Sequence, residues 1–277
     1  GMDWDEGPDI GGHYAPYTQS ERLEIYQEKA EELIEKGWAY RCDCSPERLA
    51  RVREAQRALG KPPMYDGHCR NRPPEEIAPD TPHVVRLKVP EAGETIVEDL
   101  LRGEVAFENK LVDDQVLLKS DGFPTYHLAV VVDDQMMRIS HVLRGDDWLP
   151  SAPKHVLLYQ AFGWTPPVFV HVPLVLGEDG KKLSKRHGAI SIEDFRKQGY
   201  LPEAVFNFLA LLGWAPGEGD EQEIFTREEL IERFKLARVK LSPAVFSYDK
   251  LDWMNGVYIR ELSEEALLKR LIPFWQD

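Results

Sequence analysis

The chain has 277 residues, with 34 lysines and arginines against 48 aspartates and glutamates, which gives a formal net charge of −14. That balance argues against indiscriminate coating of nucleic acid and against an anionic membrane surface. No apolar run approaches the roughly 18 residues that span a bilayer, so we expect no membrane segment. Three cysteines and no signal-peptide pattern indicate a reducing compartment, and we expect a cytoplasmic protein.

Helix and strand signals alternate in the first half of the chain. Apolar spacing predicts a helix from Ser20, as N-cap, to Gly37, and Ser45-Pro46 predicts the start of a second that ends at Gly60. Six prolines within residues 61–82 predict an irregular excursion. Strand-like runs follow at residues 83–89, 104–108, 115–119, 125–132 and 137–143.

The second half begins with a helix signal after Pro150 that ends at Gly163 and leads to an apolar run at residues 168–176. Strand, helix and strand in this order are typical of a βαβ crossover in a parallel sheet. From residue 191 on the pattern is helical, with signals at 202–212, 226–234 and 263–274. We therefore predict an α/β core with an α+β insertion and a C-terminal helical appendage.

The most informative segment is the loop at residues 177–188, which follows an apolar run. It holds three glycines, and four cations lie within six of its residues. A flexible backbone with clustered positive charge suits a polyphosphate, and a solvated basic loop is the ordinary alternative. Neither G-x-x-x-x-G-K-[ST] nor G-x-G-x-x-G occurs, so the two common phosphate-binding motifs do not explain it.

The order Lys182-Leu183-Ser184-Lys185-Arg186 resembles the K-[ML]-S-K-[SR] signature of class I aminoacyl-tRNA synthetases. Lys119-Ser120-Asp121-Gly122-Phe123-Pro124-Thr125-Tyr126-His127-Leu128-Ala129 looks like glutamyl-tRNA synthetase of the bacterial or organellar type. The same holds for residues 3–8, 19–22, 65–67, 86–88, 132–134, 143–145 and 253–256, so the resemblance covers essentially the whole chain. It implies a partial Rossmann-like catalytic core that attaches L-glutamate to tRNA(Glu) through a glutamyl-adenylate, with ATP and Mg²⁺ as substrate.

The resemblance also assigns roles within the basic loop. Lys182 and Lys185 match the two signature lysines, and Lys185 would contact the leaving pyrophosphate of ATP. Ser184 and Arg186 would support it. Because this reaction gathers negative charge on phosphoryl oxygens, the protein's part is positioning and positive charge.

Four further residues match substrate-binding positions of the family. Tyr126 and Arg144 would bind glutamate, since a guanidinium fork can hold a carboxylate by two parallel bonds and a phenol can donate one more. Tyr126 is expected at the start of a strand and Arg144 at the end of another. Asp147 and Trp148 match positions near the nucleotide.

Cys42, Cys44 and Cys69 form a C-x-C-x24-C pattern within 28 residues. Such grouping favours a structural zinc site, which needs a fourth ligand, and three inert thiols are the alternative. Tyr65, four residues before Cys69, is a ligand that the family uses in some members. His68 is another option.

No H-[IV]-G-H, the other class I signature, occurs in the chain, and nothing matches an anticodon-binding domain. The resemblance implies a fragment with three parts. Residues 1–40 and 119–190 form a partial nucleotide-binding domain, 41–118 an inserted acceptor-binding domain with the zinc site, and 191–277 a helical stem-contact domain. We expect a monomer that alone activates glutamate poorly or not at all.

Two other interpretations stay open at this point. The paralogue that glutamylates a modified base, glutamyl-Q tRNA(Asp) synthetase, shares the cysteine cluster and lacks an anticodon domain. Segments at 238–242 and 249–260 fit the full-length synthetase better. A non-catalytic tRNA-binding module is the second alternative.

Overall fold

The computed structural model describes residues 3–73, 76–77, 81–184 and 191–275. The chain divides into two compact units. Met2–Leu143 with Trp148–Val170 is called the first unit, and Arg144–Asp147 with His171–Asp277 the second unit. The division into three parts drawn from the sequence stays a prediction.

Within its described residues the first unit contains four α-helices: α1 (Leu23–Glu35), α2 (Pro46–Ala58), α3 (Tyr126–Met136) and α4 (Ala152–Phe162). The predicted second helix is α2, in which the Ser45 hydroxyl accepts a hydrogen bond from the Arg48 N–H at 3.3 Å. Ser20 is not the N-cap of α1, because Gln19–Glu21 form a separate 3₁₀ turn. Gly37, with φ of +73°, follows the end of α1.

The described strands are β1 (Ala39–Cys42), β2 (Val84–Leu87), β3 (Glu94–Asp99), β4 (Gly103–Glu108), β5 (Val116–Leu118), β6 (His141–Gly145), β7 (Val168–Val172), β8 (Val175–Leu176) and β9 (Ala244–Val245). They form three sheets, in the orders β1-β2-β5, β4-β3-β7-β6 and β8-β9. β3 pairs antiparallel with β4 and parallel with β7. β6 and β7 are neighbours joined through α4, as the strand–helix–strand order predicts.

The strand predicted at residues 125–132 is wrong, because this segment is the first part of helix α3. The buried residues of α3 are spaced at i, i+1, i+3 and i+4 and so form one broad face of the helix: Leu128, Ala129, Val131 and Val132. A short apolar run of this kind fits a buried helix and a buried strand equally well, so periodicity alone could not separate them. Tyr126 therefore begins a helix, not a strand.

Three smaller differences concern strands. Neither β1 nor β3 is predicted from the sequence, although β3 alternates exposed and buried residues along its length. The strand predicted at 137–143 begins only at His141, because Arg138 adopts a φ of +56° just after α3. The apolar run at 168–176 forms two strands, β7 and β8.

In the first unit, a network of charged and polar side chains links α1 to α3. Tyr26 and Leu128 are fully buried in this core. Asp133 of α3 accepts a hydrogen bond from Arg22 Nε at 2.8 Å and another from the Tyr26 hydroxyl at 2.7 Å. Arg22 is 3% exposed, so this ion pair is shielded from water and ties the two helices together.

The second unit is mainly helical, as predicted. Its described helices are α5 (Ile192–Lys197), α6 (Pro202–Leu211), α7 (Arg227–Arg233), α8 (Tyr248–Glu261) and α9 (Glu264–Trp275). Phe208, Phe246 and Leu251 lie in its core. Among the residues described, none of the helices combines the length and the apolar character needed to cross a bilayer.

Candidate active site and metal centre

Tyr126 is the first residue of α3, and 43% of it is exposed. Its ring centre lies 4.7 Å from that of Trp148, which follows β6 in the chain. The structure therefore brings together one residue that the sequence assigns to glutamate and one that it assigns to the nucleotide.

Two histidines support Tyr126 from within the first unit. The Tyr126 ring lies 6.0 Å from His155, which is 2% exposed, and 5.6 Å from His127. His127 Nδ1 and His155 Nε2 are 2.9 Å apart, so one of these nitrogens carries the proton of their hydrogen bond. Sequence reasoning gave His127 and His155 no role at the site.

Arg144 lies near the end of β6, as predicted, and is held by a residue of β7. Its Nε donates a hydrogen bond to His171 Nε2 at 2.9 Å. His171 is fully buried, and an imidazole nitrogen that accepts a hydrogen bond carries no proton. This bond fixes the plane of the guanidinium, which is the group expected to bind a carboxylate.

The basic loop begins as a tight hairpin. The Gly177 and Lys181 backbones pair at 2.8 Å, and Gly180 adopts a φ of +72°, which glycine reaches without strain. Lys182 Nζ forms an ion pair with Asp147 Oδ2 at 2.6 Å, although 35 residues separate the two in the chain. A signature lysine and a residue that the resemblance assigns to the nucleotide thus meet within the second unit.

The other signature residues divide between described and undescribed positions. Ser184 is half-buried just beyond the hairpin. Lys185 and Arg186 lie outside the described residues, so their predicted roles rest on the resemblance alone.

The three cysteines converge, as their spacing predicts. Cys42 ends β1, Cys44 follows two residues later, and Cys69 lies in a turn of the proline-rich excursion. The Sγ atoms lie within 4.8 Å of one another, with Cys44 and Cys69 at 3.5 Å. The thiols form no disulfide.

Tyr65 supplies the fourth atom of this cluster. Its hydroxyl oxygen lies 3.3 Å from Cys42 Sγ and 3.5 Å from Cys44 Sγ, and it accepts a hydrogen bond from the Cys69 N–H at 2.9 Å. Tetrahedral zinc with bonds of about 2.3 Å to sulfur and about 2.0 Å to oxygen has ligand–ligand edges of about 3.4–3.8 Å. Three of the six separations among these atoms are close to those edges, so the residues present are compatible with the ion.

The pKa values of the cluster's side chains are shifted in different directions. Burial raises the pKa of the Cys44 thiol to about 11, and burial together with hydrogen bonds to the cysteines raises the pKa of Tyr65. Burial also opposes ionisation of Cys42, but contacts with Tyr65 and Arg86 outweigh it and lower the pKa of Cys42. Arg86 contacts the site, although sequence reasoning gave it no role there. Its signals in the sequence were its place in the family-like segment 86–88 and its charge inside an otherwise apolar strand, β2.

Comparison with known proteins places these sites in context. The family model for tRNA synthetases class I (E and Q), catalytic domain, matches residues 1–253. Glutamate–tRNA ligase of Dehalococcoides mccartyi is 56% identical over 274 residues, covering 99% of this chain and 55% of that protein. The enzyme of the same name from Fusobacterium nucleatum is 49% identical over 278 residues, covering 99% and 54%. The chain thus spans about half the length of the curated relatives it matches.

Solved structures agree with the fold. Glutamate–tRNA synthetase from Elizabethkingia anophelis superposes with a TM-score of 0.90 at 39% identity, covering 99% of this chain and 61% of that one. Glutamate–tRNA ligase from Elizabethkingia meningosepticum, solved in complex with its amino acid, gives a TM-score of 0.88 at 39% identity, covering 97% and 59%.

Proposed function

Because the chain belongs to the class I family of glutamyl- and glutaminyl-tRNA synthetases, we propose that it takes part in the ATP-dependent attachment of L-glutamate to tRNA(Glu). The observation that carries this proposal is the pairing of Lys182 with Asp147 at 2.6 Å. It joins the signature loop to Asp147, just after β6, which the same resemblance assigns to the nucleotide. The identity of 49–56% to glutamate–tRNA ligases supports the same amino acid.

The chemistry proceeds in two displacements. An oxygen of the glutamate α-carboxylate attacks the α-phosphorus of ATP, the new P–O bond forms, and pyrophosphate leaves. The adenylate's acyl group then moves to a ribose hydroxyl at the end of the tRNA, and AMP leaves. Because neither step needs a covalent enzyme intermediate, positioning and charge stabilisation are the protein's tasks.

Each residue of the site has a task in the first displacement. The resemblance assigns glutamate binding to Arg144, whose guanidinium plane is set by His171 in the second unit, and to the Tyr126 hydroxyl in the first unit. Lys182 and Lys185 neutralise part of the negative charge on the phosphates of ATP. The ATP binds as its magnesium complex. Asp147 holds Lys182 beside the nucleotide until the phosphates draw the lysine away.

The cysteine cluster has a separate, structural task. Cys42, Cys44, Cys69 and Tyr65 bind one zinc ion in a closed site, supported by the match of their separations to a tetrahedron. A bound ion would cross-link β1, which ends at Cys42, to the proline-rich excursion, which carries Tyr65 and Cys69. In this way it shapes the surface expected to receive the acceptor end of the tRNA.

Titration with a non-hydrolysable glutamyl-adenylate analogue tests the proposed function. We expect binding to the wild-type chain, strong weakening in Arg144→Ala, and no change in Arg196→Ala, an exposed arginine of the second unit. Lack of analogue binding by the wild type would contradict the proposal. If that chain still bound tRNA, the non-catalytic binding module would be the better interpretation.

A further inference from the structure

Arg86 is a buried cation beside the cysteine cluster. It lies on β2, is 4% exposed, and its guanidinium carbon sits 3.9 Å from the centre of the Tyr65 ring. One terminal nitrogen, Nη1, donates to the backbone carbonyl of Asp114 at 2.9 Å. Its Nε has no hydrogen-bond partner, and the guanidinium forms no ion pair, within the part of the chain that the structure describes.

Asp114, whose backbone carbonyl accepts from Arg86, has a carboxylate that already binds other groups. Asp114 accepts hydrogen bonds from the Arg70 guanidinium, from the Tyr40 hydroxyl at 2.8 Å and from the Val89 N–H at 2.9 Å. It therefore pairs with Arg70, not with Arg86. A buried cation without an anion is destabilising, so the position of Arg86 calls for negative charge elsewhere in contact with it.

The metal ligands supply that charge when the ion is bound. Thiols and a phenol are neutral when protonated, but zinc binds them as thiolates and phenolate, and four such ligands exceed the charge of a divalent cation by two. A cation on the face of an aromatic ring is attracted to it, and the attraction grows as the ring becomes more electron-rich. Arg86 is placed on the face of the Tyr65 ring.

We propose that Arg86 is the counter-charge of the metal centre: it stacks on the ligand Tyr65 and offsets the excess negative charge of the loaded cluster. It also sets the tilt of the Tyr65 ring, whose oxygen lies between the sulfurs of Cys42 and Cys44. Arg86 is a positioning residue for the metal, not a ligand. The inference rests on the proposed zinc site.

Competition for zinc with a chromophoric chelator tests the proposal on the full chain. We expect Arg86→Met to weaken zinc binding by about 10- to 100-fold, the usual effect of removing a residue that supports metal ligands, and Arg86→Lys to retain most of the affinity. Arg53→Met is the matched control, because exposed Arg53 lines the same cavity as Tyr65 and Arg86. Its zinc affinity should equal that of the wild type.

Unfolding of the metal-free proteins by urea separates counter-charge from plain structural support. If Arg86 only supported the fold, Arg86→Met would destabilise the metal-free and zinc-loaded forms equally and leave zinc affinity unchanged, which would overturn the proposal. Equal weakening in Arg86→Lys and Arg86→Met would also overturn it, since charge would then not matter. Arg86→Gln serves as a second neutral variant if Arg86→Met does not fold.

The absorption of the cobalt-substituted proteins shows whether the ligand set is intact. Thiolate-to-cobalt bands of equal intensity in the wild type and Arg86→Met are expected, because the cysteines remain. If the wild type took up no zinc, the proposed zinc site would be wrong, and this inference would be wrong with it. If the wild type bound zinc no more tightly than Arg86→Met, the zinc site would stand and the role of Arg86 would be wrong.

Discussion

Arg144 shows how one buried neighbour can prepare a charged side chain for its ligand. A free arginine side chain has many rotamers, and ordering it on binding costs affinity. The hydrogen bond from Arg144 Nε to fully buried His171 fixes the guanidinium plane in advance. A carboxylate then meets a preorganised fork instead of a mobile one.

Replacing His171 by phenylalanine should weaken binding of the adenylate analogue by about 10-fold or more, because a hydrogen bond to a charged group contributes about 1.5–3 kcal/mol. His171→Gln keeps a carbonyl acceptor and should recover most of the affinity. Calorimetric titration of both variants measures this. Equal weakening in the two variants would mean that packing, not the hydrogen bond, is what His171 contributes.

Lys185 should act on the transition state more than on bound ATP. As the bond to pyrophosphate breaks, charge develops where this lysine is expected, and removing one such preorganised charge lowers kcat by about 10² to 10³. Because the chain alone is expected to activate glutamate poorly or not at all, the effect is measured after joining it to the segments that its relatives carry beyond the matched half. Glutamate-dependent exchange of pyrophosphate into ATP is then compared between Lys185→Ala and the wild type. Lys181→Ala, an exposed lysine of the same loop, is the control. If Lys185→Ala raised only the KM for ATP, its transition-state role would be refuted.

At the scale of elements, α3 is the helix that presents Tyr126, the first unit's candidate glutamate-binding residue. Its first residue is Tyr126 and its last turn carries Asp133, which binds Arg22 and Tyr26 at α1. The ion pair therefore fixes the far end of the helix that presents the tyrosine.

Asp133→Ala should lower the free energy of unfolding by about 3–5 kcal/mol, because it leaves the buried Arg22 guanidinium without its anion. Glu24→Ala, which changes an exposed carboxylate on α1, should stay within about 0.5 kcal/mol of the wild type. Urea unfolding of the three proteins gives the values. A decrease below about 1 kcal/mol in Asp133→Ala would show that the pair is solvated in solution.

The proline-rich excursion should depend on its metal. Protein purified without chelator should contain about one zinc per chain, and removal of the ion should destabilise the excursion, because metal binding is coupled to folding. Elemental analysis decides the first point, and a content below about 0.2 equivalents would contradict the site. Tyr65→Phe should lose zinc and His68→Ala should keep it, since the Tyr65 oxygen lies among the sulfurs. The reverse pattern would make His68 the fourth ligand.

At the scale of the whole molecule, the net charge of −14 opposes binding to tRNA. A phosphate backbone is repelled by such a chain except at local basic stretches. Besides the basic loop, the other basic stretch that stands out in the sequence is residues 233–240. There Arg233 pairs with Asp220, whereas Lys235 and Lys240 are exposed and form no ion pair among the residues described.

Binding of tRNA(Glu) should therefore weaken steeply with salt. Replacing Lys235 and Lys240 together by glutamine should reduce the slope of log affinity against log salt by about 2, one for each phosphate that is no longer neutralised. Lys197→Gln, at an exposed position on α5, should leave the slope unchanged. Filter binding across a salt series measures the slopes. Salt-independent binding, or equally tight binding of unrelated duplex DNA, would contradict the prediction.

Several features of this protein are determined by the sequence alone because they are local in the chain. The spacing of Cys42, Cys44 and Cys69 predicts that they meet, and their Sγ atoms do lie within 4.8 Å. Ser45 before a proline predicts the start of α2, and the segments that resemble glutamyl-tRNA synthetases indicate the family, which the match over residues 1–253 confirms. The cap and the family segments are short runs of residue types, and the three cysteines are grouped within 28 residues.

Only the tertiary structure decided which distant side chains act together. Whether residues 125–132 form a strand or a helix depends on what covers them, since an apolar run satisfies both. Arg144 donates a hydrogen bond to His171, 27 residues away in the chain. Lys182 forms an ion pair with Asp147, 35 residues away. Arg86 lies against Tyr65 because β2 pairs with β1 beside the cysteine cluster. These contacts form when the chain packs, because burial and competition for partners decide which groups meet. The periodicity of the sequence carries no information about either.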